Sequence, residues 1–577
     1  MSKIFLILDK AKRVVRKLPL VPTLYYYLFA LPPVRPVGKW LVLGNQGLTN
    51  EQKAVIKQNQ LTWSRFDSTK PTKDNGYVLV DALLNDPIYY LTGSIVGKYL
   101  GYKRNLRTLF LLRDFHDRKS EKICASYGAH KFAYLNDKKI DLRIRIRSFL
   151  DARKIYNKVK TGEELLLLEY DGLLIGDLIY DTYLRQTGEG TISKVGPELF
   201  EFIYDAIMTK RYYEKVFKKY DIRAVVSGSY LYSRWGILAR VALKNHTEVY
   251  AKRRIPPTYI NVRRYRDSEE IRTYDARPSK SLVEYVYKEH KDEAIKEAEL
   301  YLQERMRPVS TGLNGVDEFH PYSVSKILLN RSGIIKRLNL DASKPIAVIM
   351  SHALTDCPHS SNWLLFRDYL TWIRETLDFA RNCPSTNWLV KIHPFADLYY
   401  PKQKESDEIE KATLGLRDHT IRLLPSEINS KSLLEFADVI ITARGTAGLE
   451  FSCFGIPCII AGESPYSGYG FAIEPKSKEE YFKLLSNINE IKRLTEAQVN
   501  RAKVLAYINF VLLGAKTAFL STIMPHVGEF DKNLLWWKEI YETTRKTDPL
   551  TDPFYKNFER FLDSTSTHVL SRPEFYR

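Results

Sequence analysis

A short stretch of the chain, residues 442–450, has the residue types that nucleotide-binding loops use. An apolar run leads into Gly445 and Gly448, where a helix is predicted to begin, so the backbone can approach a ligand closely. The first N–H groups of that helix and the planar guanidinium of Arg444 would both favour a phosphate. Glu450, in the first helical turn, can accept hydrogen bonds from ribose hydroxyls. An ordinary strand–turn–helix in which Glu450 caps the helix fits equally well, so this stretch alone leaves both interpretations open.

Two further segments would bring ligand-binding side chains to the same edge of a sheet. Lys391 and His393 follow an apolar strand, and residues 462–471 form a loop rich in Gly and Tyr after another strand. Open α/β sheets bind ligands at the carboxyl ends of their strands, so three such loops indicate a binding edge, although His393 alone fits a structural histidine. The predicted nucleotide-binding residues are Lys391, His393, Arg444, Gly445, Thr446 and Glu450, and the predicted donor-sugar loop carries Tyr466, Gly468 and Tyr469.

A second group of polar side chains follows the predicted strand that ends near residue 350. His352, Asp356 and His359 lie within eight positions of one another, and one of them could act as general base toward an acceptor hydroxyl. Their spacing matches no metal-binding signature, so we expect neither a metal ion nor another cofactor.

The elements that must position these residues form two alternating α/β units. Buried apolar strands separated by helices are typical of a doubly wound parallel sheet. The predicted strands are residues 40–44, 77–81, 108–112 and 224–227 in the first half and 345–350, 387–392, 438–442 and 457–461 in the second. The predicted helices are residues 50–58, 86–100, 197–220, 363–381, 448–454 and 502–519. Residues 253–339 look irregular and charged and contain a polar, helix-like segment at 280–305. Two Rossmann-like domains facing a central cleft make the GT-B architecture, which is the predicted fold.

The length of 577 residues requires more than one core. We expect a basic and apolar segment at 1–37, a Rossmann-like acceptor and catalytic domain at 38–335, and a nucleotide-sugar domain at 336–515. A helical, aromatic extension should follow at 516–577, with a terminal helix that crosses back to the first domain.

The charge balance favours an anionic partner. Lysine and arginine number 88 against 68 aspartates and glutamates, a formal charge of +20. No zinc-knuckle spacing, RNP-like motif or concentrated basic tract is present, so nucleic acid is not the expected partner. Five cysteines without a CxxC pair indicate a reducing cytoplasm. Residues 1–37 fit a peripheral anchor on the inner membrane face or a helix packed on the first domain.

Taken in order, these motifs resemble the retaining β-Kdo transferases of bacterial capsule-polysaccharide assembly and related surface-carbohydrate biosynthesis proteins. The family has a lysine–x–histidine–proline segment, then a threonine-to-glutamate turn, then an aromatic glycine loop, and residues 391–394, 442–450 and 465–471 follow that order. Tyr469 replaces the usual tryptophan of the loop. The loop at 351–359 loosely resembles the family's aspartate-bearing loop.

The resemblance extends to residues 175–191 of the first half. Matching that motif residue by residue places Asp181 on the aspartate proposed as the family's nucleophile and Arg185 on its arginine, while Tyr180 stands where the family has an acidic residue. A carboxylate of this kind attacks the anomeric carbon and forms a glycosyl-enzyme intermediate. The arginine could keep the carboxylate ionised or hold the acidic sugar's own carboxylate. Asp177 and Asp181 fit a solvated helix face as well. The predicted catalytic residues are Asp181, Arg185, Asp356 and His352.

The resemblance implies a glycosyltransferase that moves an acidic sugar, Kdo, from CMP-Kdo to a surface polysaccharide or glycolipid with retention. Two alternatives stay open: a GT-B transferase that uses another nucleotide sugar, and a non-catalytic polysaccharide-binding member of the fold.

Overall fold

The computed structural model describes residues 47–64, 66, 75–255, 257–273, 276–307, 321–394, 396, 401–413, 421–525 and 528–576. The predicted segment 1–37 and the predicted strand 40–44 lie outside these residues.

Thirteen strands form two sheets within the described part of the chain. The first six are β1 (Tyr77–Ala82), β2 (Arg107–Leu112), β3 (Lys131–Tyr134), β4 (Ile222–Ser227), β5 (Glu248–Ile255) and β6 (Tyr259–Tyr265). The others are β7 (Ile346–Met350), β8 (Asn387–Lys391), β9 (Ile421–Leu423), β10 (Val439–Thr442), β11 (Cys458–Ile460), β12 (Ala472–Ile473) and β13 (Ala515–Lys516).

Helices cover both sheets. Those before β7 are α1 (Asn50–Ser64), α2 (Pro87–Arg104), α3 (Arg118–Ser126), α4 (Leu142–Lys158), α5 (Gly162–Leu166), α6 (Gly176–Thr187), α7 (Leu199–Lys219), α8 (Ile237–Lys244), α9 (Lys280–Glu289), α10 (Lys291–Arg305) and α11 (Arg331–Leu338). Those after β7 are α12 (Tyr369–Arg381), α13 (Glu405–Thr413), α14 (Leu433–Phe436), α15 (Ala447–Ser452), α16 (Lys478–Ser486), α17 (Glu496–Tyr507), α18 (Leu534–Lys546) and α19 (Pro553–Asp563).

The second sheet is parallel throughout and has the order β9-β8-β7-β10-β11-β12. This is the doubly wound order, in which the chain reverses direction across the sheet between the first strand, β7, and the fourth, β10. The strand register pairs Met350 with both Lys391 and Thr442. Residues that follow these three positions therefore meet at one edge, outside the strand ends.

The first sheet repeats this arrangement and adds two antiparallel strands. The order β3-β2-β1-β4-β5 is parallel, while β6 and β13 extend it in antiparallel pairing. The α/β fold with two Rossmann-like units is thus confirmed. The irregular pattern expected after residue 253 is wrong for the β5–β6 hairpin, because Arg263 and Arg264 interrupt the apolar pattern of β6 although both are buried.

Helices α9 and α10 pack on the second sheet, whereas α18 and α19, near the end of the chain, pack on the first. Helices α9 and α10 bury Val283, Val286, Ala294, Ala298 and Leu302 in the core beneath the second sheet. Helices α18 and α19 return to the first sheet, where Trp536, Trp537, Phe554 and Phe558 join its core. The helix predicted at 502–519 ends at Tyr507, and a π-turn at Ile508–Leu512 leads through Gly514, at φ 97°, into β13. The domain boundaries themselves stay predictions.

Candidate functional site

A cavity of about 970 Å³ opens at the carboxyl ends of β7, β8 and β10. Its wall on the side of the second sheet includes His352, Asp356, Lys391, His393, Arg444, Gly445, Thr446, Glu450 and Tyr466. The cavity is also lined by Arg253 and Tyr259 from the β5–β6 hairpin and by Tyr301 and Arg305 from α10. The cavity lies where a doubly wound sheet binds ligands, and all six residues predicted for nucleotide binding line it.

His352 fixes the turn after β10. Its Nε2 accepts a hydrogen bond from the backbone N–H of Arg444 at 3.2 Å and lies 3.0 Å from the hydroxyl of Thr442. The same hydroxyl accepts from the N–H of Gly445 at 3.1 Å. Burial, helped by the charges of His393 and Arg444, lowers the pKa of His352 well below its usual value. His352 is therefore a neutral acceptor that shapes the turn, and Nε2 is already occupied.

Arg444 is 4% exposed, and its guanidinium bonds to the loop that follows β7. One terminal nitrogen donates to the hydroxyl of Ser360 at 2.9 Å and the other to the carbonyl of Pro358. The guanidinium carbon lies 5.6 Å from the centre of the Tyr369 ring. Within the described residues its buried Nε has no hydrogen-bond partner. The predicted phosphate ligand is thus also an anchor that joins the turn to residues 358–360.

Glu450 lies in a buried ion pair that the sequence did not indicate. Arg305 approaches its Oε1 at 2.9 Å, and the hydroxyl of Tyr322 lies 3.4 Å from its Oε2. Burial alone would lower the pKa of Arg305, but the charge of Glu450 raises it overall. Of the two oxygens, Oε2 has the weaker contact and is the one better placed to accept from a ligand hydroxyl. α15 has six residues, fewer than two turns, so cations rather than a helix dipole dominate the charge here.

Lys391 and His393 supply titratable groups at the end of β8. Lys391 is 8% exposed; burial lowers its pKa to about 8, and the charge of Lys326 acts in the same direction. Burial also lowers the pKa of His393, whose backbone N–H donates to the hydroxyl of Ser351 at 2.8 Å. An anion bound beside Lys391 would compensate a cation that the protein itself leaves poorly solvated.

Asp356 is the acidic residue of the β7 loop that lines the cavity. Its Oδ1 accepts a hydrogen bond at 2.7 Å from the hydroxyl of Tyr232, which lies after β4 in the first unit. Tyr232 and Cys357 both have left-handed backbone conformations, with φ of 58° and 40°, a strained state for such side chains. Tyr232 was not identified from the sequence, because nothing local to it signals a partner 124 positions away.

Asp181 is placed elsewhere. It is 3% exposed, accepts from Nδ1 of His359 at 2.6 Å and from the His359 backbone at 3.2 Å, and is absent from the described cavity wall. His359 Nε2 lies 2.7 Å from the carbonyl of Arg367. Both ring nitrogens face acceptors, so the ring must donate twice. Although burial alone would lower it, the charge of Asp181 raises the pKa of His359.

The neighbours of Asp181 on α6 are also engaged. Asp177 forms a bidentate pair with Arg240, with both contacts at 2.6 Å, so neither aspartate lies on a solvated helix face. Tyr180 donates to Asp368 of the second unit at 2.6 Å. Arg185 is half-buried, and its charge acts on Tyr232.

Of the residues predicted for the donor-sugar loop, one lines the cavity and two form hydrogen bonds elsewhere. Tyr466 lines the cavity, and its hydroxyl donates to the carbonyl of Gly445 at 2.7 Å. The N–H of Gly468 donates to Glu474, and the hydroxyl of Tyr469 donates to the carbonyl of Pro278 at 2.8 Å. Of the three residues predicted in this loop, Tyr466 is the one on the described cavity wall, and Pro465 beside it also lines the cavity.

The described residues hold neither a metal-binding cluster nor a membrane-spanning helix. They contain no group of three or more His, Cys, Asp or Glu arranged to hold a metal ion. No helix among them combines the length and apolarity needed to cross a bilayer.

The chain matches no family model and no curated protein. Among solved structures it is similar to the KpsC β-Kdo 2,4 transferase of Thermosulfurimonas dismutans, with 14% identity, 54% of this chain and 87% of that chain covered, and a TM-score of 0.30. It is also similar to a glycosyltransferase from Rickettsia africae ESF-5, with 11% identity, coverage of 82% and 100%, and a TM-score of 0.24. A UDP-GlcNAc 2-epimerase from Neisseria meningitidis has 9% identity, coverage of 75% and 95%, and a TM-score of 0.19. These are coarse likenesses, and the fold described above rests on the strand order and register of this chain.

Proposed function

We propose that this protein is a glycosyltransferase that binds a nucleotide-sugar donor in the cavity at the carboxyl ends of β7, β8 and β10. The observation that carries the proposal is the convergence of Lys391, Arg444 and Arg305 around that cavity with the Oε2 of Glu450 nearby. Buried cations match the phosphate of a nucleotide, and the carboxylate matches its ribose hydroxyls. The part of the cavity wall that Arg253 and Tyr259 of the first unit form would admit the acceptor.

We further propose CMP-Kdo as the donor and a surface polysaccharide or glycolipid as the acceptor, with transfer at the inner face of the membrane. The order of the motifs at 391–394, 442–450 and 465–471 supports this choice of donor. The net charge of +20 suits an anionic acceptor. We propose that neither a metal ion nor a cofactor takes part, since a CMP-sugar carries a single phosphate that the lysine and arginine can neutralise.

Retention requires two displacements at the anomeric carbon. A carboxylate would attack that carbon as CMP leaves with the bonding electrons, giving a glycosyl ester. The acceptor hydroxyl would then displace the carboxylate and lose its proton to a base. Asp181 is the nucleophile by resemblance, whereas Asp356 is the aspartate on the described cavity wall. For Asp181 to attack, His359 must first release it.

Intact-protein mass spectrometry after incubation with CMP-Kdo generated in situ tests the donor and the nucleophile together. The samples are wild type, Asp181→Asn, Asp356→Asn and, as a control, Asp378→Asn, which changes an exposed aspartate of α12 outside the described cavity lining. We expect a covalent ulosonate adduct on wild type and on the control, and its loss from the variant that lacks the nucleophile.

Two outcomes would contradict the proposal at different levels. An absence of adduct and of CMP release with any candidate acceptor, combined with turnover of a UDP-hexose, would contradict the Kdo assignment but keep the transferase. A failure of the protein to bind any nucleotide would contradict the transferase itself.

A further inference from the structure

Helix α4 exposes an apolar stripe on its outer face. Leu142, Ile146 and Leu150 recur every four residues and are 64%, 60% and 52% exposed. Residues four apart lie on one side of a helix, so the three side chains form a continuous row. The inner face buries Ile144, Ser148 and Ala152 against the rest of the first unit. Three exposed, adjacent aliphatic side chains on a helix that already has a buried face are costly in water and indicate a partner.

Unpaired positive charge flanks this stripe. The exposed cations of α4 are Arg143, Arg147, Arg153, Lys154 and Lys158. Within the described part of the chain, none of these five forms an ion pair. The two acids at this helix are already neutralised: Asp141 by Lys215 at 2.7 Å, and Asp151 by Arg211 at 2.5 Å. The face is thus strongly basic as well as apolar.

We propose that this face, the α4 surface (Leu142, Ile146 and Leu150 with the five flanking cations), docks the protein on an anionic lipid bilayer. A helix that lies in the interface buries its apolar row among the acyl chains while lysines and arginines contact lipid phosphates. Each such cation adds to the attraction of an anionic leaflet. The inference rests on the surface of the first unit and holds whichever donor the cavity binds.

Other occupants fit the charge less well. Residues 1–46 carry Lys3, Lys10, Lys12, Arg13, Arg16, Lys17, Arg35 and Lys39 against Asp9 alone. A segment of this composition, or the α4 surface of a second copy, would bring like charges together. A nucleic-acid strand binds where exposed aromatic rings can stack on its bases, whereas the row is aliphatic and the ring of Phe149, which is 43% exposed, already packs on Phe200 and Tyr204. A lipid surface satisfies both the aliphatic row and the cations.

Vesicle flotation of the full-length protein tests the proposal. The probes are vesicles of phosphatidylglycerol and phosphatidylcholine in equal amounts and vesicles of phosphatidylcholine alone. Leu150→Ser removes one member of the row, and Leu300→Ser on α10 is its matched control, since the two leucines are 52% and 53% exposed. Arg143→Gln with Arg147→Gln removes two cations, and Lys483→Gln with Lys492→Gln removes two exposed cations elsewhere.

We expect wild type to bind the phosphatidylglycerol vesicles in a salt-dependent manner and the phosphatidylcholine vesicles weakly. The arginine pair should weaken binding about 25-fold at low salt, or about fivefold for each side chain. Leu150→Ser should weaken it severalfold, while both controls bind like wild type. All the altered side chains are exposed, and circular dichroism would verify that the variants are folded.

Three results would overturn the proposal. The first is wild-type protein that does not float with anionic vesicles. The second is equal binding of wild type and the α4 variants, which would assign membrane contact to another part of the chain, such as residues 1–46. The third is unchanged vesicle binding by the arginine variant together with loss of its binding to a single-stranded RNA oligonucleotide, which would assign the surface to nucleic acid.

Discussion

Lys391 should make nucleotide binding depend on pH above neutrality. Its ammonium is buried at the end of β8, and its pKa is lowered to about 8. A phosphate bound beside it would raise that pKa, because an opposite charge favours the charged form. Binding is then coupled to proton uptake. The affinity for nucleotide is therefore highest well below pH 8, which is the pKa of Lys391 in the free protein. It falls as the pH rises through that value.

The size of the effect follows from the protonated fraction. About nine in ten Lys391 side chains are charged at pH 7 and about one in ten at pH 9, for a pKa of about 8. The Kd should therefore rise about tenfold between these pH values, equivalent to about 1.4 kcal/mol. The charge of a nucleotide monophosphate stays nearly constant over this range, since its second pKa is about 6. His352 and His393 contribute little there, because the pKa of each is lowered.

Calorimetric titration with CMP at pH 7, 8 and 9 measures this directly. Lys391→Arg is the informative control, because a guanidinium stays charged throughout and should abolish the pH dependence even if its geometry weakens binding. Lys391→Met should bind weakly at every pH. A wild-type Kd that is the same at pH 7 and pH 9 would refute the reasoning, as would a tenfold change that persists in Lys391→Arg.

Three further changes probe the cavity wall. Arg305→Met should lower the free energy of unfolding by about 3–5 kcal/mol in denaturant titrations, because it leaves the Glu450 carboxylate buried without its cation, and adding Glu450→Gln should restore part of the loss. Gly448→Ala should lower Tm, because its Cβ would stand 2.0 Å from the hydroxyl oxygen of Tyr466. Adding Tyr466→Phe should recover part of the lost Tm. If Tm does not recover, the loss comes from the backbone instead. Tyr232→Phe removes a hydrogen bond to Asp356, so in a steady-state assay kcat should fall while the Kd for nucleotide stays constant. Equal changes in kcat and Kd would contradict a role of Tyr232 confined to Asp356.

Seven of the parallel strands (β1, β2, β4, β7, β8, β10 and β11) were predictable because they are short and mostly apolar, whereas β3, β5, β9 and β12 were not predicted. Almost every residue of β7 and β10 is buried, as expected for strands of a parallel sheet that is covered on both faces. The residues at their carboxyl ends could be assigned to one edge from strand direction alone. The β5–β6 hairpin escaped detection because Arg263 and Arg264 interrupt the apolar pattern, although both are buried in the structure.

Side-chain partners could not be predicted in the same way. Glu450 was expected to face a ribose, and nothing near it in the sequence announces Arg305, which lies 145 positions earlier on a polar helix. Tyr180 stands where the resembling family has an acidic residue, and the structure brings the carboxylate of Asp368 against its hydroxyl from the other unit. These contacts depend on how two units pack, and local periodicity contains no information about that packing.

The loop after β7 connects the parts of the site that sequence motifs treat as separate. It supplies Asp356 to the cavity and His359 to Asp181, and it is tied to the turn after β10 by the two hydrogen bonds that Arg444 gives to residues 358 and 360. A phosphate that takes either of those guanidinium hydrogen bonds must loosen the loop, because a donor N–H engaged with one acceptor is not free for another. The same loop holds the imidazole against Asp181. We therefore propose that a phosphate which takes one of these two hydrogen bonds, rather than the Nε–H of Arg444, couples donor binding to the release of Asp181.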